Sequence, residues 1–223
     1  MNLIKKILIF IILIAFIGLA VIYSWISTRW MTVYSKSEMI SLASIVNSSP
    51  ELPDLFYQTY DKIYEEQRHT SMSKELFFIF LNILDLSDQF IDSECRKVYH
   101  NIQYSSDSAR QKRNVIYESD ERFIKAHLDY FIGWGINKYS SPEKCLDYNI
   151  SKSVEYYVRR SSLASFSAIN EIVKIPLESM NEDQIIELLL LMKAPSRYDK
   201  YRHPEIFEKA FNELKEKVEK NGS

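Results

Sequence analysis

Few residues in this chain of 223 can do chemistry, and their spacing excludes several kinds. The two cysteines, Cys95 and Cys145, cannot close a tetrahedral zinc site by themselves. In an oxidising compartment they can pair; two buried thiols are the other arrangement the sequence allows. The four histidines, His69, His100, His127 and His203, show no HExxH-like spacing, and each reads as a surface or packing residue. Only four glycines occur, and none builds a phosphate-cradling loop, which argues against a P-loop or a dinucleotide-binding fold. A net charge of −2 gives no electrostatic case for nucleic acid. Glu118, Asp120 and Glu121 stand together just before Arg122, where acids suit the positive end of a helix. Arg110, Lys112 and Arg113 form a basic patch suited to a solvated loop near anionic lipid headgroups, and Arg159-Arg160 reads the same way.

These groups must be carried by something, and the sequence supplies an anchor and many helices. Ile7 to Ile26 reads ILIFIILIAFIGLAVIYSWI, without a charge. At about 1.5 Å per residue it covers roughly the 30 Å of a bilayer core. Lys5 and Lys6 precede it, and Tyr23, Trp25 and Trp30 sit at its far end, where amphipathic rings favour the interface. A cleaved signal peptide would end at Gly18-Leu19-Ala20, but the apolar run continues from Val21 to Ile26, so an anchor is the better reading. Residues 31–50 read as a connecting segment. Pro53 fits the first turn of a helix carrying Leu55, Phe56, Tyr60, Ile63 and Tyr64 on one face. Ser73 to Phe90 predicts a second helix, capped by Ser73, with a broad apolar stripe. Residues 103–120 are polar and loop-like. Helical patterns return at Glu121–Phe131, Pro142–Asn149 and Ser165–Val173. Asn181 caps a helix over Glu182–Met192 that Pro195 stops, and Pro204 starts a last helix to about Lys220.

The stretch from Leu177 to Glu205, LESMNEDQIIELLLLMKAPSRYDKYRHPE, resembles the closing part of the glycosyltransferase family 51 domain, the peptidoglycan glycosyltransferases of penicillin-binding proteins and their monofunctional, membrane-anchored relatives. In that family a short polar turn leads into an alanine- and leucine-rich helix ending close to "APSRYNP", then "NPE" or "HPE". Ala194-Pro195-Ser196-Arg197-Tyr198 matches outright, Asp199 stands where asparagine is usual, and His203-Pro204-Glu205 follows. Upstream, Ala164 to Leu177 looks like the family's "GIEAAAQTYFGKSL" segment.

The resemblance implies a mainly α chain: an N-terminal transmembrane helix followed by a lysozyme-like helical domain. The parts would be residues 1–30 as cytoplasmic stub and anchor, 31–105 as a helical part with a weak match, and 106–220 as the family-like part. The family's substrate is lipid II, which one glutamate as base and another at the diphosphate leaving group join into glycan strands, often with a divalent metal. The catalytic motifs are largely eroded. In the place of "EDxxFxxHxG" stands Glu94-Cys95-Arg96-Lys97-Val98-Tyr99-His100-Asn101, where only Glu94 matches. Ser105 to Gln111 is a poor "GxSTITQQ". Where "RKxxE" belongs, Arg122 survives and Ala126 replaces the second glutamate. "ILExYLN" maps loosely to Pro142–Ile150, with Glu143 and Tyr148 as survivors, and the late "RxxxVL" arginine falls near Phe211 and is missing.

The resemblance therefore implies a divergent, membrane-anchored glycosyltransferase-like protein of bacterial cell-wall synthesis, a pseudoenzyme or a weak enzyme. Glu94 is its candidate base, and Arg122, Arg110 and Lys112 its candidate substrate-binding groups. No residue set marks a metal site, and a divalent metal is expected only with activity. Lipid II or glycan, the cytoplasmic membrane and cell-wall synthesis proteins are the expected partners; a non-catalytic scaffold for glycan or cell-wall enzymes is the alternative. The domain should lie outside the cytoplasm. A reporter active only there, fused after Ser223, should give signal; silence from a well-expressed fusion would overturn this topology.

Overall fold

The computed structural model describes residues 34–64, 68–75, 93–105, 128–159 and 167–222, with scattered positions between 7 and 31. Among the described residues all regular structure is helical and no strand occurs. The helices are α1 (Lys36–Asn47), α2 (Asp54–Tyr64), α3 (Glu94–Ser105), α4 (Leu128–Asn137), α5 (Pro142–Arg159), α6 (Ser167–Ile172), α7 (Glu182–Lys193) and α8 (Pro204–Asn221), with a 3-10 turn at Leu177–Ser179. Much of the expected anchor, and most of the expected Ser73–Phe90 helix, lie outside the described residues. The described positions of the apolar run include Phe10 and Val21, both helical and both 62% exposed. Among the described residues no helix is long and apolar enough to cross a membrane.

Local chemistry explains most boundaries. Asn181 accepts the N–H of Gln184 at 2.9 Å, and the Gln184 side chain accepts the N–H of Asn181 at 2.9 Å, a reciprocal cap for α7. Pro195 follows the last turn of α7, and Pro204 opens α8 at its first turn. Residues 31–50 are not merely a connection. Ser35 and Glu38 form a capping box, with bonds of 3.3 and 2.8 Å, that starts α1. Met39, Leu42, Ala43 and Val46 then bury one face. The helix α5 runs ten residues past Asn149, because nothing after that position breaks it: Ser151 and Ser153 are weak formers but not stops.

Two apolar clusters make the core, and α5 belongs to both. Its Cys145 and Tyr148 join Met39, Val46, Val98, Ile102, Phe131 and Ile132 from α1, α3 and α4. Its Leu146 and Ile150 join Phe56, Ile63, Ile169, Ile185, Leu188 and Val218 from α2, α6, α7 and α8. The run Ile185, Ile186 and Leu188 to Leu191 is buried almost all round, because α2, α6 and α8 pack against α7. Each such side chain contributes about 1.5–3 kcal/mol on burial. Cys95 and Cys145 form a disulfide joining α3 to α5, which resolves the pairing the sequence left open. For a sequence separation of 50, the chain-entropy account gives a stabilisation of about 4 kcal/mol.

The sequence pattern ended the Glu121–Phe131 helix at Phe131, but α4 continues through Gly133 to Asn137. The glycine there serves a close crossing. A Cβ on Gly133 would lie 2.8 Å from Arg96 Cα and 3.1 Å from the Cys95 carbonyl oxygen, both backbone atoms of α3. Alanine would normally stabilise a helix interior by about 1 kcal/mol relative to glycine. In Gly133→Ala the two backbones must part instead, and overpacking of this kind costs about 1–3 kcal/mol. Chemical denaturation should show a net loss of stability; a midpoint equal to or above that of the native chain would mean that the α3–α4 crossing has slack.

Candidate functional site

Among the described residues, the buried polar groups Glu75, Ser93, Glu94 and Asn149 meet at the start of α3. Glu94 is its first residue and is only 2% exposed. The polar residues Glu94, Lys97 and Asn101 recur at helical spacing along one stripe of α3, and the apolar Cys95, Val98 and Ile102 along the next. The apolar stripe enters the core and the polar one faces a cleft of about 430 Å³. Tyr60 and Tyr64 of α2 form part of the cleft wall, their rings 4.7 Å apart. From α5 come Asn149 and Ser153 with the apolar Leu146 and Ile150, and from α7 come Leu189, Met192 and Lys193. The cleft thus lies between the polar stripe of α3 and apolar side chains of the second core cluster.

Glu94 is held from three sides. Its Oε1 accepts the Tyr60 hydroxyl at 2.5 Å and the Lys97 ammonium at 2.5 Å. Its Oε2 accepts the Asn149 amide at 3.0 Å, and the same amide group donates to the Glu94 backbone carbonyl at 2.9 Å. Asn101 in turn donates to Asn149 Oδ1 at 2.9 Å, which orients that amide. Burial pushes the Tyr60 hydroxyl well above its usual pKa, and the negative Glu94 adds to the shift, so Tyr60 stays a proton donor. Tyr64, buried beside the same carboxylate and Tyr198, is pushed up to about 12. A carboxylate has about four acceptor positions. The Tyr60, Lys97 and Asn149 side chains use three of them, two on Oε1 and one on Oε2.

A second buried carboxylate fixes the start of α3. Glu75 is fully buried; its Oε2 accepts the Ser93 N–H at 2.8 Å, and its Oε1 lies 2.9 Å from the Arg96 guanidinium. Arg96 also sits 4.5 Å from the Tyr130 ring centre and pairs with the Tyr130 hydroxyl. Glu75 does not line the cleft, so it acts as a strap and not as a second cleft carboxylate.

Of the residues singled out from sequence, Glu94 lies in the cleft. Arg110, Lys112, Arg113, Glu118, Asp120, Glu121, Arg122 and Ala126 lie outside the described residues. Glu143 stands apart from the cleft lining, with His69 Nδ1 at 2.5 Å. Burial works to raise its pKa, but hydrogen bonds from Ser141, its own backbone and His69 prevail and hold the carboxyl below the usual range. Tyr148 is fully buried in the core. No group of three or more His, Cys, Asp or Glu placed to hold a metal occurs among the described residues. Sequence reading missed Tyr60, Lys97, Asn101 and Asn149 as site residues. Lys97 and Asn101 were within reach as the helical neighbours of Glu94; Tyr60 and Asn149 come from other helices and had no local signal. No family model, curated protein or solved structure matches this chain.

The Tyr60–Glu94 bond can be weighed directly. Tyr60→Phe should cost about 1.5–3 kcal/mol, the range for hydrogen bonds to charged groups. In a Glu94→Gln background the same change should cost clearly less, measured by denaturant unfolding. Equal costs in both backgrounds would show that the two side chains are not coupled.

Proposed function

We propose that this chain is a membrane-anchored, divergent relative of the peptidoglycan glycosyltransferases, with a lysozyme-like helical domain whose cleft binds lipid II or glycan and polymerises it weakly or not at all. One observation carries the reading: Glu94, the residue that motif resemblance alone put forward as the base, is a buried carboxylate in the cleft. The family-like segment supplies a wall of the same cleft, through Leu189, Met192 and Lys193 of α7. Asp199, which replaces the family's usual asparagine, is a buried turn residue. Its side chain accepts the Tyr201 N–H at 3.0 Å and the Ser167 hydroxyl at 3.3 Å. An acceptor is what that turn requires, so the replacement leaves the resemblance intact.

The chemistry favours binding over turnover. Ala126 stands where the second glutamate belongs, and the loss of one acid/base group commonly costs about 10²–10⁴ in rate. Glu94 is already engaged by Tyr60, Lys97 and Asn149. Lys97 is paired with Glu94, so Lys193 is the cleft cation suited to an anionic diphosphate, and Tyr64 gives the cleft aromatic surface for a sugar. The Cys95–Cys145 disulfide suits an oxidising compartment outside the cytoplasm, on the side where lipid II is used.

The test is the full chain in liposomes containing lipid II, with polymer formation and lipid II binding both measured. The expected result is binding with little or no polymer, and binding weakened at least about tenfold, or 1.4 kcal/mol, in Lys193→Glu. Absence of lipid II binding would sink the reading. Binding indifferent to Lys193→Glu would move the site away from this cleft. Robust polymerisation lost in Glu94→Gln would make Glu94 a working base and end the pseudoenzyme interpretation.

A further inference from the structure

We propose that the Cys95–Cys145 disulfide sets the rotational register of α3, so that the Glu94 cleft exists only in the oxidised chain. The observation is an adjacency along the seam between α3 and α5. Cys95 directly follows Glu94, and Cys145 lies one helical turn before Asn149, the residue that holds Glu94 from α5. The covalent bond and the Glu94–Asn149 bonds are therefore neighbouring rungs of one contact.

The register matters because the two stripes of α3 lie one residue apart. Residues 94, 97 and 101 face the cleft, and 95, 98 and 102 face the core. One residue is about 100° of helix rotation. A turn of that size in one direction would carry Cys95 and Val98 toward the cleft and swing Glu94 and Lys97 away from Asn149. Against it stand the bonds of Glu94 to Tyr60 and Asn149, the buried Val98 and Ile102, and the Glu75–Arg96 strap, all of them non-covalent contacts that can break and re-form. The Gly133 crossing sets how closely α4 approaches α3. A bond from Cys95 to α5 removes the rotational freedom outright. Both cysteines are fully buried, so the bond acts as a clamp inside the seam and not as a surface sensor. To close it, two thiols give up two protons and two electrons by exchange with an external protein disulfide, which leaves as a dithiol. A thiol–disulfide oxidase of the outer compartment is therefore the class of partner that must act on this chain before the cleft can bind anything.

The inference concerns the cleft proposed above to bind lipid II, but its first readout does not need a ligand. Amide hydrogen exchange of the full chain in detergent is compared with that of Cys95→Ala/Cys145→Ala and of the better-filled Cys95→Val/Cys145→Ala. Both variants lose the general stabilisation of the bond, so the readout is local: exchange over 94–101 should accelerate at least about tenfold more than exchange over 185–191. Unchanged exchange over 94–101 would show that the clamp is dispensable. Equal acceleration over the two segments would show that the bond supports the whole fold and not a register; either result overturns the proposal. Lipid II–containing liposomes provide the second readout. If the native chain binds them, both variants should lose that binding. If native and variant chains bind equally, the clamp does not build the cleft. If even the native chain fails to bind, the lipid II reading falls and the exchange pattern still decides the clamp.

Discussion

Burial of one stretch of α5 on every side is the constraint from which the rest of the arrangement follows. From Cys145 to Ile150 six consecutive residues are buried, more than a full helical turn. A helix buried all round is normally apolar all round, yet this turn contains Asp147 and Asn149. An unpaired polar group in that position costs several kcal/mol, and a lone charge more. Each must therefore be matched by a neighbouring element, and those matches tie the element down. Asp147 accepts the Tyr57 hydroxyl and the Leu52 N–H, the latter at 3.4 Å, and lies 3.2 Å from the Lys144 ammonium. It thereby ties the start of α2 to α5. Asn149 spends its amide on Glu94 and Asn101, and ties α3 in the same way.

Apolar packing around α5 supplies most of the stabilisation, while these polar contacts supply direction. The distinction matters for the cleft. The Glu94–Asn149 bonds are satisfied in one register only. Two of the cleft's polar residues, Glu94 and Asn101, are those that satisfy the buried Asn149 amide of α5, so moving Glu94 would strand Asn149 as well.

Under the proposed reading, the matched and the unmatched motifs fall on different elements. The segment that resembles the glycosyltransferases forms α6, the 3-10 turn, α7, the following turn and the start of α8. These are packing elements, and a reciprocal cap, a proline stop and a buried turn residue hold them. The Glu94 network within the cleft depends on α2, α3 and α5, outside that segment. Scaffold and chemistry answer to different pressures here: Leu188 and Leu191 must fill space whatever the cleft does, while Glu94 needs partners from three helices.

Local interactions made some of this legible without coordinates. The cap at Asn181, the stop at Pro195 and the start at Pro204 depend on residues a few positions apart, so the boundaries of α7 and α8 were readable, as were the apolar faces of α2 and α7. The capping box at Ser35 and Glu38 was equally local, but serines and a lysine around it masked the apolar spacing of α1. Other features had no local trace. The extension of α4 through Gly133 depends on how closely α3 passes, and glycine by its own propensity argues the other way. Pairing of Cys95 with Cys145 required the α3–α5 seam to form. Glu94 could be nominated from a motif, but its partners Tyr60 and Asn149 are 34 and 55 residues distant along the chain. Hydrogen bonds over such separations are decided by which helices pack, because side chains reach only a few ångströms and the backbone must first bring them within that range.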